Sequence, residues 1–376
     1  MRILIITSSY PRTPNDTINA GVFVRDFALA LHRLGNEVEI VTHRKRGKTD
    51  YREPFCVREF FWLGGEPTLT SLNLKTPWGI VGATSLLLSG MFKLCSRIRA
   101  FKPDLVCAMW ATPAGFIARR VCTRYGVPYA VWLLGSDVWR YEHSAWGKKM
   151  LRKIVEPAKF LFADGIELAK RAEKITERTP NFLPSSRDLS GLVGEIPALK
   201  GVNDSYIFVG RFDYNKGPDV FASAIRIYAG HGGTSRFSLF GLGALKNQAE
   251  SELKDLIERG QVSVKGVIGP EDLVAHLKSA RALVIPSRRE SIPVIFSDAM
   301  QANCPVISTS VGDLDELVRR YKVGIVVPSE DPEALASAFD EMDRVGRVGF
   351  EGGCKEAAEQ FSPIGSARKF LGIIVS

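Results

Sequence analysis

Two successive series of short apolar segments, each alternating with helix-length amphipathic segments, constrain this chain more than any other feature. In the first series, runs suited to buried strands fall at 2–7, 37–42, 57–62, 104–109, 128–134 and 160–164. Helical periodicity fills 22–35 (Phe23, Phe27, Ala30, Leu31 and Leu34), 78–101, 113–125 and 145–158. In the second series, strands are expected near 206–210, 236–240, 262–265, 282–285, 305–308 and 325–327. Helices are expected there at 217–229, 244–259, 270–279, 293–302, 313–320 and 332–344. Short apolar runs without polar alternation suit strands buried on both faces, and the helices between them supply the crossovers that parallel strands need. Between the series, 180–205 is rich in Pro, Gly, Ser and Asn and reads as a linker. The expectation is α/β: two Rossmann-like, doubly wound domains facing across a cleft, with ligands at the carboxyl ends of the strands. Their expected bounds are 1–195 and 203–359, with a segment at about 360–376 packing back onto the first. A length of 376 residues fits two domains at roughly 100–200 residues each.

Charge divides between the two series. The formal net charge is +9, yet residues 1–190 hold 29 Lys+Arg against 17 Asp+Glu, and the remainder holds 21 against 24. A basic first half suits an anionic partner, such as a membrane surface, a phosphorylated acceptor or a nucleic acid; a solvated basic surface is the plainer alternative. Six Cys are scattered with no CxxC pair, which argues against a zinc ribbon or a dithiol redox motif and fits reduced thiols in the cytoplasm. The opening "MRILIITSSYP" has an apolar run only from Ile3 to Ile6 and reads as a buried strand rather than a secretory leader. The segment nearest to a membrane span, Thr76 to Phe92, contains Gly79, Gly82 and Gly90 and runs into Lys93, Arg97 and Arg99; no span is expected.

Several loops carry residues suited to an anionic ligand. Gly21 stands just before a helix, where backbone can approach a ligand and free N–H groups favour an anion. In "YIFVGRFDYNKGPD" an apolar strand ends at Gly210-Arg211, and Lys216 follows before Gly217-Pro218 opens a helix. Arg offers a fork and Lys a point charge, a pairing that suits a diphosphate. Gly241-Leu242-Gly243 begins a GxGxxG pattern, but Lys246 stands where the third glycine would be; a turn beside a nucleotide base remains open. In "PSRRESIPVIFSDAM" a buried strand leads to Glu290, Ser291 to Val294 are expected to form a helix N-terminus, and Asp298 follows on that helix. Asp313-Leu314-Asp315 matches a DxD pattern that three residues meet easily by chance, so no metal site is expected. No GxSxG, Walker A or HExxH is present, and none of the five His, His143 included, stands in a recognisable catalytic setting.

These segments, with "TSSYP…GVFVRDFALAL", "PAGFIARR…GVPYAVWLLGSDVW" and "CPVISTSVGDLDELV", resemble the retaining glycosyltransferases of family 4, the "group 1" transferases of GT-B architecture, over almost the whole chain. The resemblance implies that Arg211 and Lys216 bind the donor diphosphate, with Gly21, Gly210 and Gly241 in the surrounding glycine loops. It implies that Glu290 begins an E-x7-E element and faces the transferred sugar, so that Glu290, Arg211 and Lys216 carry catalysis. Ser291, Ile292 and Val294 would form the phosphate loop, Asp298 would reach the ribose, and Ser136 and Asp137 would line the acceptor side. This sequence departs from the family at three places: Leu134 where a His is common before Gly-Ser-Asp, Asp298 in place of a second Glu, and "ESIPV" in place of a glycine-rich loop. The implied activity is retaining transfer from a UDP- or GDP-sugar to a glycan or lipid-linked glycan; the two cations at the diphosphate lead us to expect no metal or other cofactor, and the basic first half leads us to expect a cytoplasmic protein peripheral at the cytoplasmic membrane face. The alternatives are a GT-B phosphorylase or nucleotide-sugar epimerase, and a non-catalytic nucleotide-sugar-binding protein. Nucleic acid is not an expected partner, because no recognition motif accompanies the basic residues.

Overall fold

The computed structural model describes residues 1–13, 21–44, 49–64, 76–199 and 205–376. The chain forms two compact units, 1–184 with 363–376, and 185–362.

The first unit holds β1 (Arg2–Thr7), β2 (Glu37–His43), β3 (Cys56–Phe60), β4 (Leu105–Met109), β5 (Tyr129–Leu133), β6 (Phe160–Ala163) and β7 (Asn181–Phe182). All are parallel, in the order β3-β2-β1-β4-β5-β6-β7. Ile5 of β1 lies beside Ile40 on one side and Cys107 on the other. The runs LVCAM and YAVWL are buried from end to end, as their lack of polar alternation requires. Helices Pro77–Phe101, Phe116–Tyr125, Ala145–Val155 and Ile166–Thr176 share one core on one face of the sheet, through Leu94, Ile117, Leu151 and Ala172. Helices Val22–Arg33 and Pro363–Val375 build the other core, where Phe370 stands edge-on to Phe27 at 5.4 Å and 5.1 Å from Phe162.

Helix Pro77–Phe101 starts where the Thr76 hydroxyl accepts from Gly79 N at 3.1 Å, with Pro77 in the first turn. It ends at Lys102 in the left-handed region. Its buried stripe runs Gly79, Gly82, Leu86, Gly90, Leu94 and Ile98, at the three- and four-residue spacing of one helix face. By length and composition (mean hydropathy 1.4) this helix could cross a bilayer. Its stripe is instead built into the core of the first unit.

The second unit holds β8 (Ser205–Val209), β9 (Arg236–Phe240), β10 (Val262–Lys265), β11 (Ala282–Ile285), β12 (Val306–Thr309) and β13 (Gly324–Val327), parallel in the order β10-β9-β8-β11-β12-β13. Its core is aromatic: Phe339 packs 4.8 Å from Tyr206 and 5.3 Å from Phe237. The Tyr206 and Tyr228 hydroxyls each donate to Asp343 at 2.6 Å, so both phenols keep a polar partner on burial.

Three features differ from the sequence reading. The expected linker is mostly part of the second unit, so the boundary falls at 184/185 rather than near 195. Leu189 N donates to Gln301 Oε1 at 3.0 Å, and the Gln301 side-chain amide donates to Arg187 O at 2.8 Å. Lys278 Nζ donates to Val193 O and Ile196 O at 3.0 and 2.7 Å. The helix expected over 244–259 is two pieces, Lys246–Glu252 and Lys254–Glu258, meeting at Leu253. Helices Ile166–Thr176, Glu351–Gln360 and Pro363–Val375 add to the expected set.

Candidate functional site

In each sheet the strand order reverses at one pair, β1/β4 and β8/β11. Neighbouring crossovers there run to opposite faces, which opens a crevice at the strands' carboxyl ends. In the second unit the loops leaving β8 and β11 are the two that carry Arg211, Lys216 and Glu290.

Lys216 and Glu290, 74 residues apart, form an ion pair through Nζ and Oε1. The same Oε1 accepts from Ser287 Oγ at 3.1 Å. Both side chains are partly covered, at 25% and 11% exposure, so a ligand reaches them while bulk water screens them incompletely. The approach depends on Gly217, which lies at φ +66°; a Cβ there would fall 2.0 Å from Pro286 O. Arg211 leaves β8 on the same side but is 76% exposed, with Asp213 at 3.1 Å. Gly210 N donates to Phe240 O at 3.0 Å. Gly241 lies at φ +146°, where a Cβ would meet Gly210 O at 1.8 Å. The close approach of these two loops therefore accounts for that glycine without a nucleotide.

Sequence reasoning passed over Arg288, which braces the site. Its guanidinium donates to Asp219 at 2.9 and 2.7 Å, to Tyr214 O at 2.8 Å and to Glu330 at 2.9 Å, and lies 4.0 Å from the Tyr214 ring centroid. Its backbone N–H donates to Asn215 O at 2.8 Å. Arg288 thus ties the loop after β11 to the turn that presents Lys216, and it holds the Asp219 carboxyl below the usual carboxylate range. The only sequence signal was an Arg pair beside Glu290, with the partners 42 to 74 residues away.

Helix Val294–Gln301 begins later than expected, with Pro293 as its cap; Ser291 and Ile292 are buried in the approach to it, and Val294 opens it. Asp298 is not a helix-surface acid. It is fully buried, and both of its oxygens accept from Arg187. Burial raises its carboxyl above the ordinary value, and Arg187 offsets part of that rise. The expected ribose ligand already has a partner within its own unit. Asp315, the second acid of the DxD match, pairs with Arg319 one helical turn on at 2.7 Å.

In the first unit, Gly21 caps helix Val22–Arg33, and a Cβ there would lie 2.6 Å from the backbone of Ser9 and Tyr10. Residues 14–20 of that loop lie outside the described residues. Ser136 is exposed, but Asp137 is buried and turned inward, which corrects its expected place on an acceptor-lined surface. Asp137 accepts from Ala111 N at 2.8 Å and Leu134 N at 3.2 Å, joining the ends of β4 and β5. Burial pushes its carboxyl up to about 6, against the pull of four backbone amides.

A carboxyl raised in the folded state keeps its proton longer there than in the unfolded chain. Asp137 therefore costs stability as pH rises from about 4 to about 6, by ~3 kcal/mol when fully ionised. Asp137→Asn is expected to flatten the pH dependence of the melting temperature between about pH 4 and 6. An unchanged slope would assign that dependence to another group.

Two parallel doubly wound units, each with its crevice at a strand-order reversal, define a GT-B fold. Solved structures agree. A sucrose-phosphate synthase from Thermosynechococcus elongatus superposes with TM-score 0.73 at 16% identity, covering 100% of this chain and 98% of that one. Anabaena Alr3699/HepE in complex with UDP gives 0.70 at 15%, covering 100% of both. The family models "Glycosyl transferase 4-like domain" and "Glycosyl transferases group 1" match residues 20–164 and 203–342. This chain belongs to the group 1, family 4-like glycosyltransferases. Among relatives, TuaC of Bacillus subtilis strain 168, named for teichuronic acid biosynthesis, is 26% identical over 91% of this chain and 89% of its own. WcaL of Salmonella typhimurium, named for colanic acid biosynthesis, is 32% identical over 37% of this chain and 36% of its own.

Proposed function

We propose that this protein is a retaining glycosyltransferase of polysaccharide biosynthesis that moves a sugar from a UDP- or GDP-sugar to a glycan or lipid-linked glycan. The observation that carries the reading is the Lys216–Glu290 pair at the β8/β11 reversal. The names of TuaC and WcaL support the pathway class, and solved structures of HepE with UDP and UDP-glucose support the donor class.

Breaking the sugar–phosphate bond builds negative charge on the leaving diphosphate and positive charge at the anomeric carbon. Lys216, with Arg211 swung in from solvent, stabilises the first. Glu290 holds sugar hydroxyls and, once Lys216 turns to the phosphate, lends its charge to the second. The leaving phosphate takes the acceptor's proton on the face it departs from, which retains configuration. Lys216 and Arg211 do for the diphosphate what a divalent ion does in other transferases.

Thermal-shift measurements with UDP-, GDP-, ADP- and dTDP-sugars test donor binding, since a ligand of the folded state raises the melting temperature by mass action. One nucleotide class is expected to stabilise the protein without added metal and to yield product with the donor's anomeric configuration in EDTA. An inverted anomer, or activity that EDTA abolishes and a divalent cation restores, would overturn the mechanism.

A further inference from the structure

We infer that helix Pro77–Phe101 lies in the plane of an anionic membrane, its outward face sunk into the boundary between headgroups and acyl chains.

Opposite the buried stripe of this helix, Trp78, Ile80, Val81, Leu88 and Phe92 are exposed, at 64, 54, 43, 51 and 77%. No charged residue occurs on the helix before Lys93. Single exposed apolar side chains are ordinary, but five large ones along one helix are not. The strand-side neighbour extends the patch: Phe61 and Leu63 are 61% and 42% exposed. They are stitched to the helix, with Ser89 Oγ donating to Phe61 O and Leu63 N donating to Ser85 Oγ at 2.9 Å. The Ser85 hydroxyl turns back to Gly82 O at 2.8 Å, and the single Ser89 proton is shared between Phe61 O and Ser85 O, 2.6 Å away. These polar groups are satisfied internally, so moving them out of water costs little.

Charge selects the occupant. Helices Pro77–Phe101, Phe116–Tyr125 and Ala145–Val155 form one layer on one sheet face. They carry three, three and four Lys or Arg and no acidic residue. Arg99, Arg120, Arg124, Lys148 and Lys149 are exposed, and Trp146 beside them is 66% exposed. An apolar helix face bordered by exposed Lys and Arg of its own helix and its two neighbours is complementary to anionic lipid. A second copy of the same face would bring like charges together.

The inference deepens the proposed lipid-linked acceptor by naming the surface on which it is met. Its test does not use turnover, so failure here leaves the donor measurements standing, and failure there leaves this one standing. The full chain is sedimented with phosphatidylglycerol/phosphatidylcholine vesicles and with phosphatidylcholine vesicles, at low and high salt. Binding to the anionic vesicles is expected, with a fraction surviving high salt because apolar insertion is not screened. Leu88→Ser/Phe92→Ser is expected to lose at least about tenfold in partition, with an unchanged melting temperature because both side chains are exposed. Lys148→Glu/Lys149→Glu is expected to lose binding chiefly at low salt. Wild-type protein that stays in solution, or a serine variant that partitions like wild type, overturns the proposal. So does a serine variant whose only change is from dimer to monomer, since the face then belongs to a second copy.

Discussion

Lys216→Ala is expected to lower kcat/KM by about a thousandfold, ~4 kcal/mol of transition-state stabilisation. Among the described residues, Nζ is the ammonium group set against Glu290 at the β8/β11 reversal, and Gly217 fixes where it can go. Its charge matters most once the diphosphate begins to leave, so the loss should fall on kcat more than on KM. Glu290→Gln should cost a comparable amount. The double variant should cost far less than the two combined, because each residue loses its partner in either single variant. Steady-state kinetics of the four proteins with one nucleotide-sugar decide the matter. A Lys216→Ala enzyme within tenfold of wild type, or two fully additive effects, would remove the pair from catalysis.

The second large effect concerns stability. Asp298 is wholly buried, and Arg187 is its charge partner. Removing one member of a buried pair strands the other's charge and typically costs about 3–5 kcal/mol. For a unit of this size Arg187→Met should lower the melting temperature by roughly 10 °C at neutral pH. The stranded Asp298 binds a proton more readily than it does unfolded. The variant's deficit should therefore shrink as pH falls and the folded state takes up that proton. Replacing both residues by apolar ones should recover much of the loss. A deficit that is independent of pH and persists in Arg187→Met/Asp298→Leu would show that packing, not charge, was lost.

Strands were the most legible feature, because burial on both faces leaves an uninterrupted apolar run such as LVCAM. Lys216 and Glu290 were legible as separate signals, since each follows a strand, but nothing local showed that they meet. The unit boundary was misplaced for the same reason: Gly, Pro and Ser mark irregular backbone, not which core that backbone packs on. Arg187 and Arg288 were missed because their partners lie 111 and 42 to 74 residues away. Asp298 and Asp137 are placed against ligands only by the resemblance, and no local pattern marks an acid as buried. The burial of Asp298 depends on an arginine from the supposed linker, and that of Asp137 on amides at the ends of two strands.

The return of Pro363–Val375 to the first unit has a consequence for biogenesis. All of 185–362 leaves the ribosome before the helix that completes the first core. Until then Phe27 and Phe162 lack their cover, so the unit made first is finished last, and the unit made second can close while the first is still open. A chain truncated before Pro363 and released would show protease resistance in its later half only. The earlier half would acquire resistance only once Pro363–Val375 has emerged and docked, and any chaperone bound to it would be released at that moment.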